Sequence, residues 1–198
     1  MQPIKRITRR ALWIGPVGLA GAAAVFLRHR DRTAEIPEAA GSDEDVTIAR
    51  FDDSGTKLGL IHAHRMMLSE AEWRERLTPQ QYYVTRRGQT DPAFTGTYYR
   101  AKEPGVFRCI CCGEALFSSD AKYDSGTGWP SFWAPLAKEN LRTRREPGVT
   151  LAVGIEVICA RCAAHLGHVF DDGPRPTGLR YCINESSLRF VSQSSTNS

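Results

Sequence analysis

The sequence predicts a mainly β domain with short helices at its N-terminal edge, and three observations carry that expectation. After Thr90 the chain breaks into short apolar runs separated by Gly, Pro and Asp. Just before it, two helix-start signals stand close together, at Ser69 and at Thr78-Pro79. Two Cys-x-x-Cys knuckles, Cys109/Cys112 and Cys159/Cys162, each follow a strand-like run and suit a four-cysteine zinc site.

Composition sets the frame. The 198 residues suit one compact domain plus an appendage. Charged residues at 24% and aromatics at 9% exclude a wholly disordered chain, a collagen-like repeat and a multi-span membrane protein. The net charge of +4 is unevenly placed. Residues 1–32 hold seven Lys/Arg against one acid, so the remainder, with 19 basic and 21 acidic residues, carries −2. A body of that charge has no electrostatic bias toward nucleic acid.

The N-terminal elements come first. Residues 11–27 (ALWIGPVGLAGAAAVFL) form an uncharged run directly after Thr8-Arg9-Arg10. Paired arginines followed by an apolar run resemble a twin-arginine export signal. A single-span anchor is the alternative, although a helix of this length spans only about 25 Å. Ala39-Ala40-Gly41 is the best cleavage candidate. Residues 1–30 are therefore expected to be a signal peptide or membrane anchor, and 31–45 a flexible linker. The folded domain is expected over 46–192, with 193–198 a disordered tail. The leader points to a bacterial protein that is exported, periplasmic or membrane-anchored, touching the membrane only through this segment. A cytoplasmic location is the alternative.

Within the body, Ser69-Glu-Ala-Glu72 fits a capping box and predicts a helix to about Leu77, with Trp73 and Leu77 on one face. Thr78-Pro79 opens a second short helix over 80–84. Strands are expected at 96–100, 105–109, 151–158, 168–170, 178–183 and 188–191. Asp171-Asp172-Gly173-Pro174 and Pro176-Thr177-Gly178 read as turns.

The knuckles are separated by 46 residues, too many for a minimal finger, so the β domain must bring them together. Four thiolates suit one zinc ion; two disulfides are the alternative in an exported protein. The spacing Cys159-x-x-Cys162-x-x-His165-x-x-His168 also allows a Cys2His2 site, which would leave Cys109 and Cys112 without a role.

Two cysteines remain, Cys111 and Cys182. Period-two alternation places Arg180, Cys182 and Asn184 on one strand face, with Tyr181 and Ile183 on the other. Arg180 would favour a thiolate and Asn184 could orient it; the alternative is a buried structural cysteine. His165 and His168 would point to opposite faces of a straight strand, and Gly167 permits a bulge that unites them for proton transfer. In Gly126-Thr-Gly-Trp-Pro-Ser-Phe132, Trp129 suits either a small apolar group such as a methyl or simple core packing, and Trp133 and Phe170 could complete an aromatic wall.

Taken together, the motifs resemble the B-type methionine sulfoxide reductases. They are Cys109-x-x-Cys112-Gly113, Tyr123-Asp-Ser-Gly-Thr-Gly-Trp-Pro-Ser-Phe132, Cys159-x-x-Cys162, His165-Leu-Gly-His-Val-Phe-Asp-Asp-Gly-Pro174, Pro176-Thr-Gly-Leu-Arg-Tyr-Cys-Ile-Asn184 and Ser187-Leu-Arg-Phe190. The resemblance covers residues from about 69 to 190. It implies two antiparallel sheets with one structural zinc ion remote from the catalytic centre, and no organic cofactor. It implies reduction of the R-epimer of methionine sulfoxide in oxidised proteins. Cys182 is then the nucleophile that becomes a sulfenic acid, with His165 and His168 as proton donors. Arg180, Asn184 and Asp172 organise the polar side, and Trp129 receives the methyl group. A monomer is expected, served by an external thiol, either a thioredoxin-like protein or a low-molecular-weight thiol. Many relatives carry a resolving cysteine where Thr127 stands here; Cys111 is the spare thiol that could replace it. Glu185 stands where the family usually has Ser. A zinc-bound interaction module without catalysis is the competing function, and it would not need Cys182, both histidines, Arg180 and Asn184 together.

Overall fold

The computed structural model describes residues 45–145 and 148–193. The expected leader, most of the linker and residues 194–198 of the tail lie outside the described residues. Asp45, expected to end the linker, is the first residue of a strand. Gln193, expected in the tail, bonds the Pro104 carbonyl through its backbone and the Ser54 carbonyl through its amide. No helix among the described residues is long and apolar enough to cross a membrane.

The domain opens with a hairpin of β1 (Asp45–Phe51) and β2 (Lys57–His64), followed by α1 (Glu70–Arg76) and α2 (Pro79–Arg87). Nine strands follow: β3 (Gly105–Cys109), β4 (Ala115–Ser118), β5 (Lys122–Tyr123), β6 (Ser131–Phe132), β7 (Leu141–Arg144), β8 (Ile155–Cys159), β9 (His165–Phe170), β10 (Arg180–Ile183) and β11 (Leu188–Ser192). They form a six-stranded sheet in the order β5-β6-β10-β9-β8-β7 and a three-stranded sheet in the order β11-β3-β4. Every pairing is antiparallel.

Both helices start as the capping signals require. The Ser69 hydroxyl accepts from the Glu72 amide while the Glu72 carboxylate accepts from the Ser69 amide. Thr78 and Gln81 form the same reciprocal pair, and α2 runs on to Arg87, beyond the expected Val84, before Gly88 closes it at φ 66°. Trp73 and Leu77 are both buried.

The two larger sheets meet on aromatic rings. Phe117 of β4 stacks on Phe132 of β6 at 4.4 Å, and Phe107 of β3 meets Phe132 edge-on at 5.0 Å. Each fully buried ring contributes about 1.5–3 kcal/mol. The β1–β2 hairpin is joined to this body by Asn140. Its amide closes two bonds with the Ala49 backbone and one with the Ala115 carbonyl.

Two expectations are corrected, and the hairpin adds a two-stranded sheet to the expected pair. No strand is expected over 46–64, although Asp52-Asp53-Ser54-Gly55 is a turn signal there. Residues 96–100 do not form a strand; Tyr98–Arg100 is a 3-10 turn, held at its start by Glu185. The strand expected over 151–158 begins at Ile155, after a turn that ends at Gly154.

Candidate active site

One register row crosses the six-stranded sheet and carries most of the chemistry. Tyr123 of β5 pairs with Ser131 of β6, Ser131 with Cys182 of β10, and Cys182 with His168 of β9. His168 pairs with Glu156 of β8, and Glu156 with Arg144 of β7. Residues directly opposite each other share a face of the sheet. The buried Tyr181 and Ile183 lie on the other face of β10, as the alternation predicts.

The two histidines come together through a bulge. Opposite Val157 and Ile158 the register shifts, so Leu166 is an extra residue in β9. The ring centroids of His165 and His168 end 5.4 Å apart. The bulge depends on Gly167, whose φ is 152° and where a Cβ would stand 2.1 Å from the Cys182 carbonyl oxygen.

Electrostatics divide this face. Arg180 forms a bidentate pair with Asp172, both bonds at 2.8 Å, and its guanidinium lies 4.2 Å over the Phe170 ring. Burial pushes the Cys182 thiol up; Arg180 and a hydrogen bond from Thr127 oppose this without cancelling it, and Asp172 adds to the rise. Arg180 thus favours the anion as expected, but Asp172 offsets much of its charge. On the far side, His165 Nδ1 meets Glu156 Oε1 at 2.9 Å, and Arg144 meets the other Glu156 oxygen at 3.1 Å. Burial opposes ionisation of Glu156, but the His165 hydrogen bond and Arg144 hold its carboxyl below its ordinary value. Burial and then His165 pull His168 down, while Glu156 partly restores it. His165 Nε2 is buried and has no partner among the described residues.

Asn184 and Trp129 share an anchor. β10 ends at Ile183, so strict alternation stops there and the Asn184 amide does not reach the thiol. It accepts from the Asp91 amide and donates to the Leu166 carbonyl, tying the end of β10 to the β9 bulge. Trp129 donates from Nε1 to the Asp91 carbonyl at 2.9 Å. The Asp91 carboxylate in turn accepts from Gln80 and Ser186. Beside Trp129 lies a cavity of about 390 Å³ walled also by Asp91, Pro92, Pro130 and Glu185. Trp133 packs against the main core rather than joining Phe170.

Two contributors, Glu156 and Asp91, were not singled out from the sequence, and Thr127 was noted there only as the place of an absent resolving cysteine. Glu156 is the lone acid in the strand Ile155–Cys159, a signal available there. Asp91 stands in no motif that marks it. Thr127 touches Cys182 through tertiary structure alone. Glu185 also finds its place. Its carboxylate accepts from the Thr97 and Tyr98 amides, an approach open because position 96 is glycine.

The knuckles meet away from this face. Cys109 Sγ lies 3.6 Å from Cys162 Sγ, Cys112 Sγ lies 3.5 Å from Cys159 Sγ, and all four sulfurs fall within 4.8 Å of one another. A tetrahedral zinc–thiolate site with bonds of about 2.3 Å has sulfurs about 3.8 Å apart, whereas a disulfide needs about 2.05 Å. All six cysteines are free, so the fit is to a metal ion and not to two disulfides. Neither histidine joins the group, which removes the Cys2His2 alternative. Arg86 braces the second knuckle by donating to the Cys162 carbonyl. Cys111 sits against Cys109, Cys162, Thr85 and Arg86, and shares none of these neighbours with Cys182.

Comparison with known proteins agrees with this geometry. Residues 77–192 match the model of the SelR domain. A peptide methionine sulfoxide reductase MsrB of Hahella chejuensis is 58% identical over 63% of this chain and 88% of its own. A chloroplastic peptide methionine sulfoxide reductase B1 of Arabidopsis thaliana is 55% identical over 62% of this chain and 60% of its own. An MsrB of Pseudomonas aeruginosa is 55% identical over 62% of this chain and 92% of its own. The row through Cys182, the paired histidines and the four-cysteine cluster thus stand in a chain that belongs to the SelR-domain family of peptide methionine sulfoxide reductases.

Proposed function

We propose that the chain reduces the R-epimer of methionine sulfoxide in proteins through a Cys182 sulfenic acid that an external thiol then reduces directly. As a member of its family it is an oxidoreductase that returns oxidised methionine in proteins to methionine, a repair activity. The observation that carries the finer reading is the placement of Cys182 directly opposite His168, with Arg180 and Thr127 against its sulfur.

The Cys182 thiolate attacks the sulfoxide sulfur, whose oxygen must be protonated before it can leave. His165 and His168 are the donors, and Glu156 holds His165 with Nδ1 occupied and Nε2 free. Trp129, pinned through Nε1, offers its ring face to the S-methyl group. Asp172 keeps Arg180 in place, and Asn184 positions β10. The oxygen leaves as water, a water molecule then attacks the Cys182 sulfur, the bond to the substrate sulfur breaks, methionine departs and Cys182 is left as the sulfenic acid. No thiol stands at position 127 to trap it, and Cys111 is enclosed in the knuckle.

Cys109, Cys112, Cys159 and Cys162 would hold a structural zinc ion, which cross-links two distant loops and takes no part in turnover. Arg9-Arg10 and the apolar run after them support export or membrane anchoring; fractionation with a size comparison of the mature chain tests that part.

The deciding experiment compares R- and S-epimer reduction by the wild type and Cys182→Ser with dithiothreitol. R-specific activity lost in the variant is expected. Activity that survives the substitution defeats the mechanism, and no activity on either epimer favours a zinc-bound interaction module. A stoichiometric Cys111–Cys182 disulfide after substrate oxidation would refute direct reduction.

A further inference from the structure

A second cavity, of about 600 Å³, lies at the β5 edge of the sheet, and Tyr123 forms part of its wall. Tyr123 stands in the Cys182 row, two strands from the nucleophile, or about 10 Å. Its hydroxyl is buried without a partner among the described residues, and burial pushes its ionisation up to about 12, with Arg180, Asp172 and Cys182 acting on it secondarily.

The charge of this cavity is its main feature. Arg100, Lys102 and Lys122 line it against Asp124. Glu103, just outside, also acts on Lys122, so the balance stays positive. None of the three cations joins an ion pair among the described residues. Lys122 is held in place by donating to the Tyr99 carbonyl at 2.8 Å, and Arg100 lies 4.9 Å over the Tyr99 ring. The cavity beside Trp129 has the opposite character, with Asp91 and Glu185 in its wall and no cation.

We propose that the cationic cavity binds the reductant, and that this reductant is a small thiol carrying carboxylate groups. This rests on the reading of Cys182 as the residue oxidised by substrate, and it deepens that reading. The volume is that of a small-ligand site. The first thiol attacks the sulfenic sulfur, forming a mixed disulfide and releasing water. A second thiol attacks the reductant's sulfur, restoring the Cys182 thiol and releasing the reductant's disulfide. Cys182 gains two electrons, one from each thiol. The cations hold the carboxylates and draw the anion toward an oxidised Cys182 that carries no attracting charge of its own.

The test is a single-turnover measurement on the full chain. Substrate is added without thiol, and one methionine per chain is expected; failure here refutes the Cys182 reading itself. Reduction of the sulfenic acid is then followed with 3-mercaptopropionate, 2-mercaptoethanol and cysteamine at matched thiolate concentration. The anionic thiol is expected to react about tenfold faster than the neutral one, with the cationic thiol slowest. Raising salt, or substituting both Arg100→Gln and Lys102→Gln, should bring the anionic-to-neutral ratio toward one. Equal rates for the three thiols in the wild type overturn the proposal. So does a double variant that keeps the ratio and instead raises KM for the sulfoxide peptide.

Discussion

Cys182 and His168 face each other directly across β10 and β9, and the bulge one residue earlier brings His165 to the same side. A nucleophile and two proton carriers are thereby fixed by backbone pairing, not by loop conformation. This arrangement yields predictions at each of its supports.

The Cys182 thiol is pushed up by burial, so its thiolate should form above the range of an ordinary cysteine. Alkylation by iodoacetamide against pH, with Cys182 followed by mass spectrometry, measures the midpoint. Arg180→Gln removes a positive charge that stabilises the anion and should move the midpoint further up. An unchanged or lower midpoint contradicts the assigned role of Arg180.

Glu156 raises His168 toward its protonated form. Glu156→Gln removes that carboxylate, so the His168 imidazole should titrate at lower pH by NMR. Turnover should fall about tenfold or more, because His165 loses the partner on Nδ1. A variant with wild-type kcat and an unmoved His168 titration would show that Glu156 serves packing alone.

Gly167→Ala tests the bulge. The added methyl would stand 2.1 Å from the Cys182 carbonyl oxygen, at a φ that side chains avoid. A loss of about 3 kcal/mol or more is expected in denaturant unfolding, with activity lost in whatever folds. A folded, active alanine variant would mean that β9 accommodates the histidines without this contact.

One zinc ion per chain should be found by atomic absorption. Cys159→Ser should abolish it and lower Tm by about 10 °C or more, since metal binding and folding are linked. Metal-free protein with wild-type Tm and activity would remove zinc from the account.

Glu185→Gln should weaken the charged cap on the Thr97 and Tyr98 amides, costing about 1–2 kcal/mol. The Cys182 alkylation midpoint should stay where it is, because the carboxylate is spent on backbone and not on the thiol. A shifted midpoint would place its charge in the active site after all.

The sequence by itself determined whatever depends on neighbours along the chain. Ser69 and Thr78 announced their helices because a capping box closes within four residues. The face shared by Arg180 and Cys182 followed from strand alternation, and the knuckles announced four thiolates because ligand spacing is local. The glycine before His168 made a bulge foreseeable. Tertiary structure alone decided the rest, because register joins residues that no local pattern relates. It set Cys182 opposite His168, placed Glu156 behind His165 and Thr127 against the thiol, and turned Asn184 away toward Asp91. It also chose a metal-type cluster over disulfides by bringing Cys109 to Cys162 and Cys112 to Cys159, and it placed three cations at the far end of the row that carries the nucleophile.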